Sequence, residues 1–372
     1  MKRIAIDIRP LLEERRGGVA TYTAELTRAL IARNDHRYAL FLNAWKRGLP
    51  TDLPVESDKV QRRFFNYPNR LLNAGFRLGF LKLERLMGDF DALWLPNMNF
   101  VATERPTVVT VHDLSFLRYP RFFTAKQRLW HNLVGVRRLL TKASAITAVS
   151  EHTKSDIMET MGIPESRITV VYPAAGTNYV SAPETEVNRV RAFYGLQQPY
   201  FLFLAVLEPR KNLEGLIDAF DISKTDADLV IAGGRGWLCE DIFRRAARSP
   251  KKDRIRFIGY VPEADKPALY TGAVAFTYPS FYEGFGMPPL EAMACGTPVV
   301  ASRATSLGEV IGNAGLLADP YDATEIARAM DAVASDTHLR AILRERGLAR
   351  AKDFTWEKSA AVLSGVFEKV IG

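Results

Sequence analysis

Residues 274–302 read VAFTYPSFYEGFGMPPLEAMACGTPVVAS. An apolar run ending at Pro279, a loop holding Gly284 and Gly286, a helix-length segment and a second apolar run from Pro298 follow one another here. Two short apolar strands joined by a crossover helix predict a βαβ unit, and such units build parallel sheets covered on both faces. Pro288 and Pro289 mark the start of the helix, because the preset φ of proline suits the first turn and its missing donor is not needed there. The amides of Leu290, Glu291 and Ala292 are then expected to lack intrahelical partners and to point at an anion. Gly284 and Gly286, flanking Phe285, let backbone approach a ligand with no Cβ in the way. The stretch therefore reads as a phosphate cradle at a strand-to-helix junction.

Glu283 and Glu291 stand eight positions apart across this junction. A carboxylate about 4 Å from a phosphate charge is repelled by roughly 4 kcal/mol at an effective dielectric near 20. Both are expected instead to accept hydrogen bonds from hydroxyls on either side of a diphosphate. A nucleotide sugar supplies both kinds, from its ribose and from its sugar. Taken singly, Glu291 could merely complement the helix dipole and EGFG could be a plain turn; their combination favours a ligand.

Upstream in the same half, the apolar run YFLFLAV, which starts at Tyr200, leads into LEPRKNLEGLIDAF. Arg210 and Lys211 thus precede a helix, where acids are the usual choice. A bound anion removes that conflict, since arginine grips phosphate with paired donors and lysine adds a point charge. A solvated pair bridged to Glu208 or Glu214 is the plainer alternative.

Strand candidates and amphipathic segments alternate throughout. The first half offers Ile4 to Asp7, Tyr38 to Leu42, Ala92 to Leu95, Thr107 to Val111, Ala145 to Ala148 and Thr169 to Val171. The second offers runs beginning at Tyr200, Leu229, Ile255, Val274, Pro298 and Ala314. This predicts an α/β fold of two Rossmann-like, doubly wound domains, 1–182 and 183–354, divided in the strand-free segment between Tyr172 and Gln198. Ligands of such sheets bind outside the carboxyl ends of the strands. Gly17 and Gly18, after the first strand, form an abbreviated glycine-rich loop there. His112, after TVVTV, is placed to hydrogen-bond a sugar hydroxyl or steer an acceptor, or is simply a satisfied histidine. Asp89-Phe90-Asp91 and Asp226-Ala227-Asp228 imitate a metal motif, but each precedes a strand and is rejected as a metal site.

The 372 residues carry a net charge of +8, unevenly placed. Residues 59–83 and 114–150 contain no Asp or Glu, and both interleave arginine and lysine with aromatic rings. Such a surface attracts anionic lipid headgroups, pyrophosphate-linked acceptors or nucleic acid, while an ordinary solvated basic face accounts for the same residues. MKRIAIDIRP reads as a first strand and not as a signal peptide, and no apolar run reaches bilayer-spanning length, so a cytoplasmic location is expected. Cys239 and Cys295 lack metal-ligand spacing and are expected to be reduced thiols.

Together, GGVATY at Gly17, VHDLSF at Val111, ITAVSEHTKSDI at Ile146, EPRKNL at Glu208 and YEGFGMPPLEAMACGTPVV at Tyr282 make the chain resemble glycosyltransferase family 4, of GT-B fold. The last segment is similar to the E-x7-E motif of that family, and FTWEKSA at Phe354 to its closing segment. The resemblance implies two domains facing across a cleft, the C-terminal one holding a nucleotide sugar and the N-terminal one, joined by the final helix 355–372, presenting the acceptor. It gives Arg210 and Lys211 to the diphosphate, Glu283 to the donor sugar and Glu291 to the ribose. Gly18 lends an amide to the diphosphate and His112 faces the transferred sugar. The reaction implied retains anomeric configuration by front-face attack, needs no metal or other cofactor, and has no nucleic-acid partner. EPRKNL and VHDLSF look most like mannosyltransferases that use GDP-mannose and a glycan or lipid-linked acceptor in polysaccharide synthesis, which fits peripheral contact with an anionic membrane at its inner face. A UDP-sugar transferase of the same family, a GT-B sugar-nucleotide epimerase and a nucleotide-sugar-binding scaffold subunit are the alternatives.

Overall fold

The computed structural model describes residues 1–12, 17–45 and 53–372. The chain divides into two compact units. The first comprises residues 1–114, 126–173 and 355–372, and the second residues 115–125 and 174–354. The chain thus changes unit after Pro173, ahead of the 182/183 division read from sequence, and the short segment 115–125 inside the N-terminal half belongs to the second unit.

Among the described residues the first unit holds seven strands: β1 (Arg3–Asp7), β2 (Arg37–Asn43), β3 (Val60–Phe65), β4 (Ala92–Leu95), β5 (Thr107–Val111), β6 (Ala145–Ala148) and β7 (Ile168–Val170). They form one sheet in the order β3-β2-β1-β4-β5-β6-β7, with every pair parallel. The second unit holds β8 (Tyr200–Leu204), β9 (Asp228–Ala232), β10 (Ile255–Gly259), β11 (Ala275–Tyr278), β12 (Val299–Ser302) and β13 (Leu316–Ala318), in the order β10-β9-β8-β11-β12-β13 and again parallel. Both sheets reverse direction of growth once, at β1/β4 and at β8/β11. These switch points open the crevices where doubly wound sheets bind ligands.

The strands read as unbroken apolar runs because both faces are covered. ALWL of β4, YFLFL of β8 and AFTY of β11 are buried at every position. β3 is the strand the sequence pattern does not announce. As the edge partner of β2 it buries Val60 but leaves Arg63 and Phe64 exposed, so VQRRFF shows neither a continuous apolar run nor clean alternation.

The terminal helix Trp356–Ile371 belongs to the first unit and packs on the helix Gly18–Arg33. The Tyr22 and Trp356 rings meet edge-on at 5.9 Å, and the Ser359 hydroxyl donates to the Tyr172 carbonyl. Ser364 lies within 3.2 Å of both Asp35 and the His36 imidazole. Among the described residues no helix is long and apolar enough to cross a membrane.

Candidate active site

At the β8/β11 switch point the chain leaves β8 through a 3-10 turn, Pro209–Lys211, and leaves β11 through the loop 279–286. Asn212 ties the two exits together. Its backbone is left-handed at φ 56°, and its side-chain amide donates to the carbonyls of Pro279 at 3.1 Å and Pro320 at 2.6 Å. Phe281 N–H in turn donates to the Arg210 carbonyl at 3.0 Å.

This framework brings Arg210, Lys211 and Glu283 into one buried cluster. Lys211 Nζ donates to Glu283 Oε1 at 2.6 Å and to the Tyr278 hydroxyl at 2.7 Å, lying 5.0 Å from the centroid of that ring. Arg210 Nη1 donates to Glu283 Oε2 at 2.9 Å and to the Tyr282 carbonyl at 2.7 Å, while Nη2 holds Glu208 Oε1 at 2.6 Å. Glu283 is 6% exposed and Lys211 7%. Burial pushes the Glu283 carboxyl up, but the charges of Arg210 and Lys211 and the lysine hydrogen bond outweigh it and bring it down to about 2. Burial, and then Arg210, push the Lys211 ammonium below the usual lysine range.

The geometry alters two readings of the sequence. Lys211 is buried, so the cationic pair is not a solvated one, although Glu208 does bridge to Arg210. The counter-charge to Arg210 and Lys211 comes from Glu208 and Glu283, so the formal charges of the four side chains cancel. An incoming anion gains from this site through directed donors more than through net charge. Lys211 has one ammonium hydrogen beyond those given to Glu283 and Tyr278, and the Glu283 oxygens keep lone-pair capacity for a hydroxyl.

The loop that delivers Glu283 is held from the segment after β12, which includes a strained residue. Glu283 N–H donates to the Thr305 hydroxyl at 3.0 Å, and Thr305 itself sits at φ 57°, an outlier for a β-branched residue. The Ser306 hydroxyl donates to the carbonyls of Glu283 and Phe285. The Phe285 ring turns inward onto Phe354, so any contact Phe285 makes with a ligand comes from its backbone. Gly286 has φ 102°, and a Cβ there would lie 2.5 Å from Leu307 Cδ2. The positive φ, together with this close approach, favours glycine at this position.

The helix begins at Met287, one residue ahead of the prolines, with Gly286 as its cap. Leu290 consequently sits in the fourth helical position and donates to the Gly286 carbonyl at a long 3.5 Å. That corrects the expectation of unpartnered amides at 290–292: at this end the prolines occupy the positions whose donors would have been spare.

Glu291 stands apart from the cluster. It is 7% exposed, and the Tyr270 hydroxyl donates to its Oε2 at 2.9 Å. Among the described residues it has no ion pair within 4 Å. Burial raises its carboxyl above the usual range against the opposing pull of Lys266 and of the Tyr270 and Tyr179 hydroxyls. A buried carboxylate held by hydroxyls rather than by a cation is suited to accept further hydroxyls.

The first unit places Gly17, Gly18 and His112 beyond the carboxyl ends of β1 and β5. Gly17 caps the helix Gly18–Arg33 in an extended conformation, with no side-chain cap and no acid in the first turn. Glu13 to Arg16, which precede it, lie outside the described residues. His112 Nε2 lies 2.7 Å from the Pro96 carbonyl, which can only accept, so the hydrogen resides on Nε2 and Nδ1 is an acceptor. Burial lowers the His112 pKa and keeps the ring neutral.

The aspartate pairs have other engagements. Asp89 pairs with Arg105, Asp91 accepts from Arg3 N–H, and Asp228 faces Arg254 and Arg256. Both cysteines are buried and free. Glu208, Tyr270, Tyr278 and Thr305 complete the site without a sequence motif that singles them out. The one available signal is the position of Glu208 within EPRKNL.

Two parallel doubly wound sheets, one with a buried cation–carboxylate cluster at its switch point, define the chain as an α/β protein of GT-B type. Comparison with known proteins agrees. Residues 16–178 match the family model for Glycosyltransferase Family 4 and residues 186–350 that for Glycosyl transferases group 1. The chain is 33% identical over 357 residues to the O-antigen chain mannosyltransferase B of Escherichia coli, covering 91% of this chain and 93% of that one. It is 30% identical over 273 residues to the serotype-specific mannosyltransferase WbdA of Escherichia coli, covering 71% of this chain and 34% of that longer protein. Among solved structures, Anabaena Alr3699/HepE in complex with UDP and glucose superposes with a TM-score of 0.75 at 20% identity, covering 99% of this chain and all of that one. The chain belongs to glycosyltransferase family 4 and is a glycosyltransferase.

Proposed function

We propose that the protein transfers mannose from GDP-mannose to a glycan or lipid-linked acceptor in polysaccharide synthesis, with retention of anomeric configuration. The observation that carries the reading is the buried Arg210–Lys211–Glu283 cluster at the β8/β11 switch point. The choice of mannose is supported by the similarity to O-antigen chain mannosyltransferase B over nearly the whole chain.

Arg210 and Lys211 take the leaving diphosphate, stabilising charge that grows as the glycosyl–oxygen bond breaks. Glu283, held ionised by the same two cations, orients the sugar through its hydroxyls. Glu291 accepts the ribose hydroxyls beside Tyr270. Gly284, Phe285 and Gly286 contribute backbone to the donor. In the first unit, the open helix start at Gly17 and Gly18 and the acceptor Nδ1 of His112 are the groups offered to substrate. The new bond joins the acceptor oxygen to the anomeric carbon on the face the diphosphate leaves, and the acceptor proton passes to a departing phosphate oxygen. The step balances with no metal or further cofactor. The basic, aromatic stretches 59–83 and 114–150 suit a membrane-borne acceptor.

The test is turnover with GDP-mannose, GDP-glucose, UDP-glucose, UDP-galactose and ADP-glucose in turn, each with a mannose-terminated acceptor. Selective consumption of GDP-mannose supports the reading; selective use of a UDP-sugar, or of none, defeats it.

A further inference from the structure

The segment Ser115–Ala125, SFLRYPRFFTA, begins three residues after His112 and belongs to the second unit, although Leu114 and Lys126 on either side belong to the first. It folds as one helical turn, Ser115–Arg118, and a 3-10 turn, Pro120–Phe122. Tyr119 and Phe122 stack on each other at 5.5 Å with their planes 16° apart. This two-ring face is laid against the two residues that precede Glu283. Phe122 stacks on Phe281 at 5.7 Å and 13°, and Tyr119 meets Tyr282 at 5.6 Å. Phe281 also packs on Tyr321 at 4.8 Å. The strap is fixed at its other end by Trp237, whose indole N–H donates to the Phe122 carbonyl at 2.6 Å and whose ring stacks on Phe123.

The same pair of residues, Phe281 and Tyr282, is bound by Arg210 on the backbone side. The Phe281 amide donates to the Arg210 carbonyl, and the Arg210 guanidinium donates to the Tyr282 carbonyl. Side chains of the loop are therefore held by the strap and its main chain by the cation that also grips Glu283. Stacked aromatic pairs fix ring planes as well as burying area, so the strap sets where the peptide leading into Glu283 can lie.

The geometry points to Tyr119 and Phe122 as positioning residues for the transfer reaction, clamping Phe281 and Tyr282 so that Glu283 meets Arg210 and Lys211 in register. Both rings act on the cluster through the loop that carries Glu283.

The test uses the full chain with Phe122→Ala, Phe122→Tyr, Tyr119→Ala and Tyr119→Phe. Hydrogen–deuterium exchange of the peptide covering 279–286 is read without any substrate. Both alanine variants are expected to exchange there at least tenfold faster than the parent, and both ring-conserving variants within threefold of it. Kinetics supply the second readout, which rests on the proposed function. The alanine variants should lose at least tenfold in kcat with acceptor KM changed less than threefold, and the ring-conserving variants should restore kcat. Parent-like exchange in the alanine variants overturns the proposal, as does faster exchange with undiminished kcat. Loss of kcat in alanine and ring-conserving variants alike overturns it too. If the parent turns over no nucleotide sugar, the functional reading fails on its own account and exchange alone decides the strap.

Discussion

Replacing Glu283 by glutamine tests the cluster through its energetics. The carboxyl is brought from its ordinary 4.5 to about 2 in the folded chain. At about 1.4 kcal/mol for each tenfold change in proton affinity, that corresponds to about 3 kcal/mol favouring the ionised, folded form. The folded pKa lies below the unfolded one, so this contribution is fully present above pH 4.5 and is lost as pH falls toward 2. By pH 3.5 on the order of 1 kcal/mol of it has gone. Glutamine removes the charge and leaves Arg210 and Lys211 buried with a neutral partner, a change of the kind that costs about 3–5 kcal/mol. Urea unfolding of parent and Glu283→Gln should therefore differ by about 3 kcal/mol at pH 7, with the gap narrowing as pH falls below about 4. Equal stability at pH 7, or a gap that does not change with acidification, would refute the assignment of Glu283 as the ionised hub.

Two further substitutions probe neighbouring features with different signs. In Glu291 the folded pKa is raised, so the ionised form is disfavoured by the fold and its cost is felt as pH rises through the folded value. Glu291→Gln should be at least as stable as the parent at pH 7, with an advantage that shrinks on acidification, while donor turnover falls by orders of magnitude; a variant both destabilised and fully active would contradict this. Gly286→Ala meets a left-handed backbone and a Cβ only 2.5 Å from Leu307 Cδ2, so a loss of about 1–3 kcal/mol is expected in thermal or urea unfolding. Unchanged stability of Gly286→Ala would show that neither φ at 286 nor the approach to Leu307 is limiting.

Buried interior parallel strands write themselves into sequence as apolar runs, which is why β4, β5 and β6 could be read to the residue. β3 carries no such signature, since an edge strand with arginines at 62 and 63 has one partner and much of its surface in water. The carboxyl-end positions of Arg210, Lys211, Glu283 and His112 were legible for the same reason as the strands: they follow directly from where the apolar runs stop. What they bond to was not. That Glu283 would bind the two cations depends on the switch in strand order between β8 and β11, a property of topology with no local trace. The offset of one residue in the helix start moved Leu290 from a spare donor to a bonded one. Membership of residues 115–125 in the second unit was equally hidden, because the rings that decide it, Phe281, Tyr282 and Trp237, lie far away in sequence.

The stereochemistry of the product is the most direct test of retaining mannosyl transfer at this cluster. Incubation with GDP-mannose, an α-linked donor, and a mannose-terminated acceptor should give a new α-mannoside, read from the anomeric proton and its one-bond carbon coupling by NMR, with Lys211→Ala giving none above background. A β-linked product, transfer from a UDP-sugar in its place, or undiminished transfer by Lys211→Ala would contradict it.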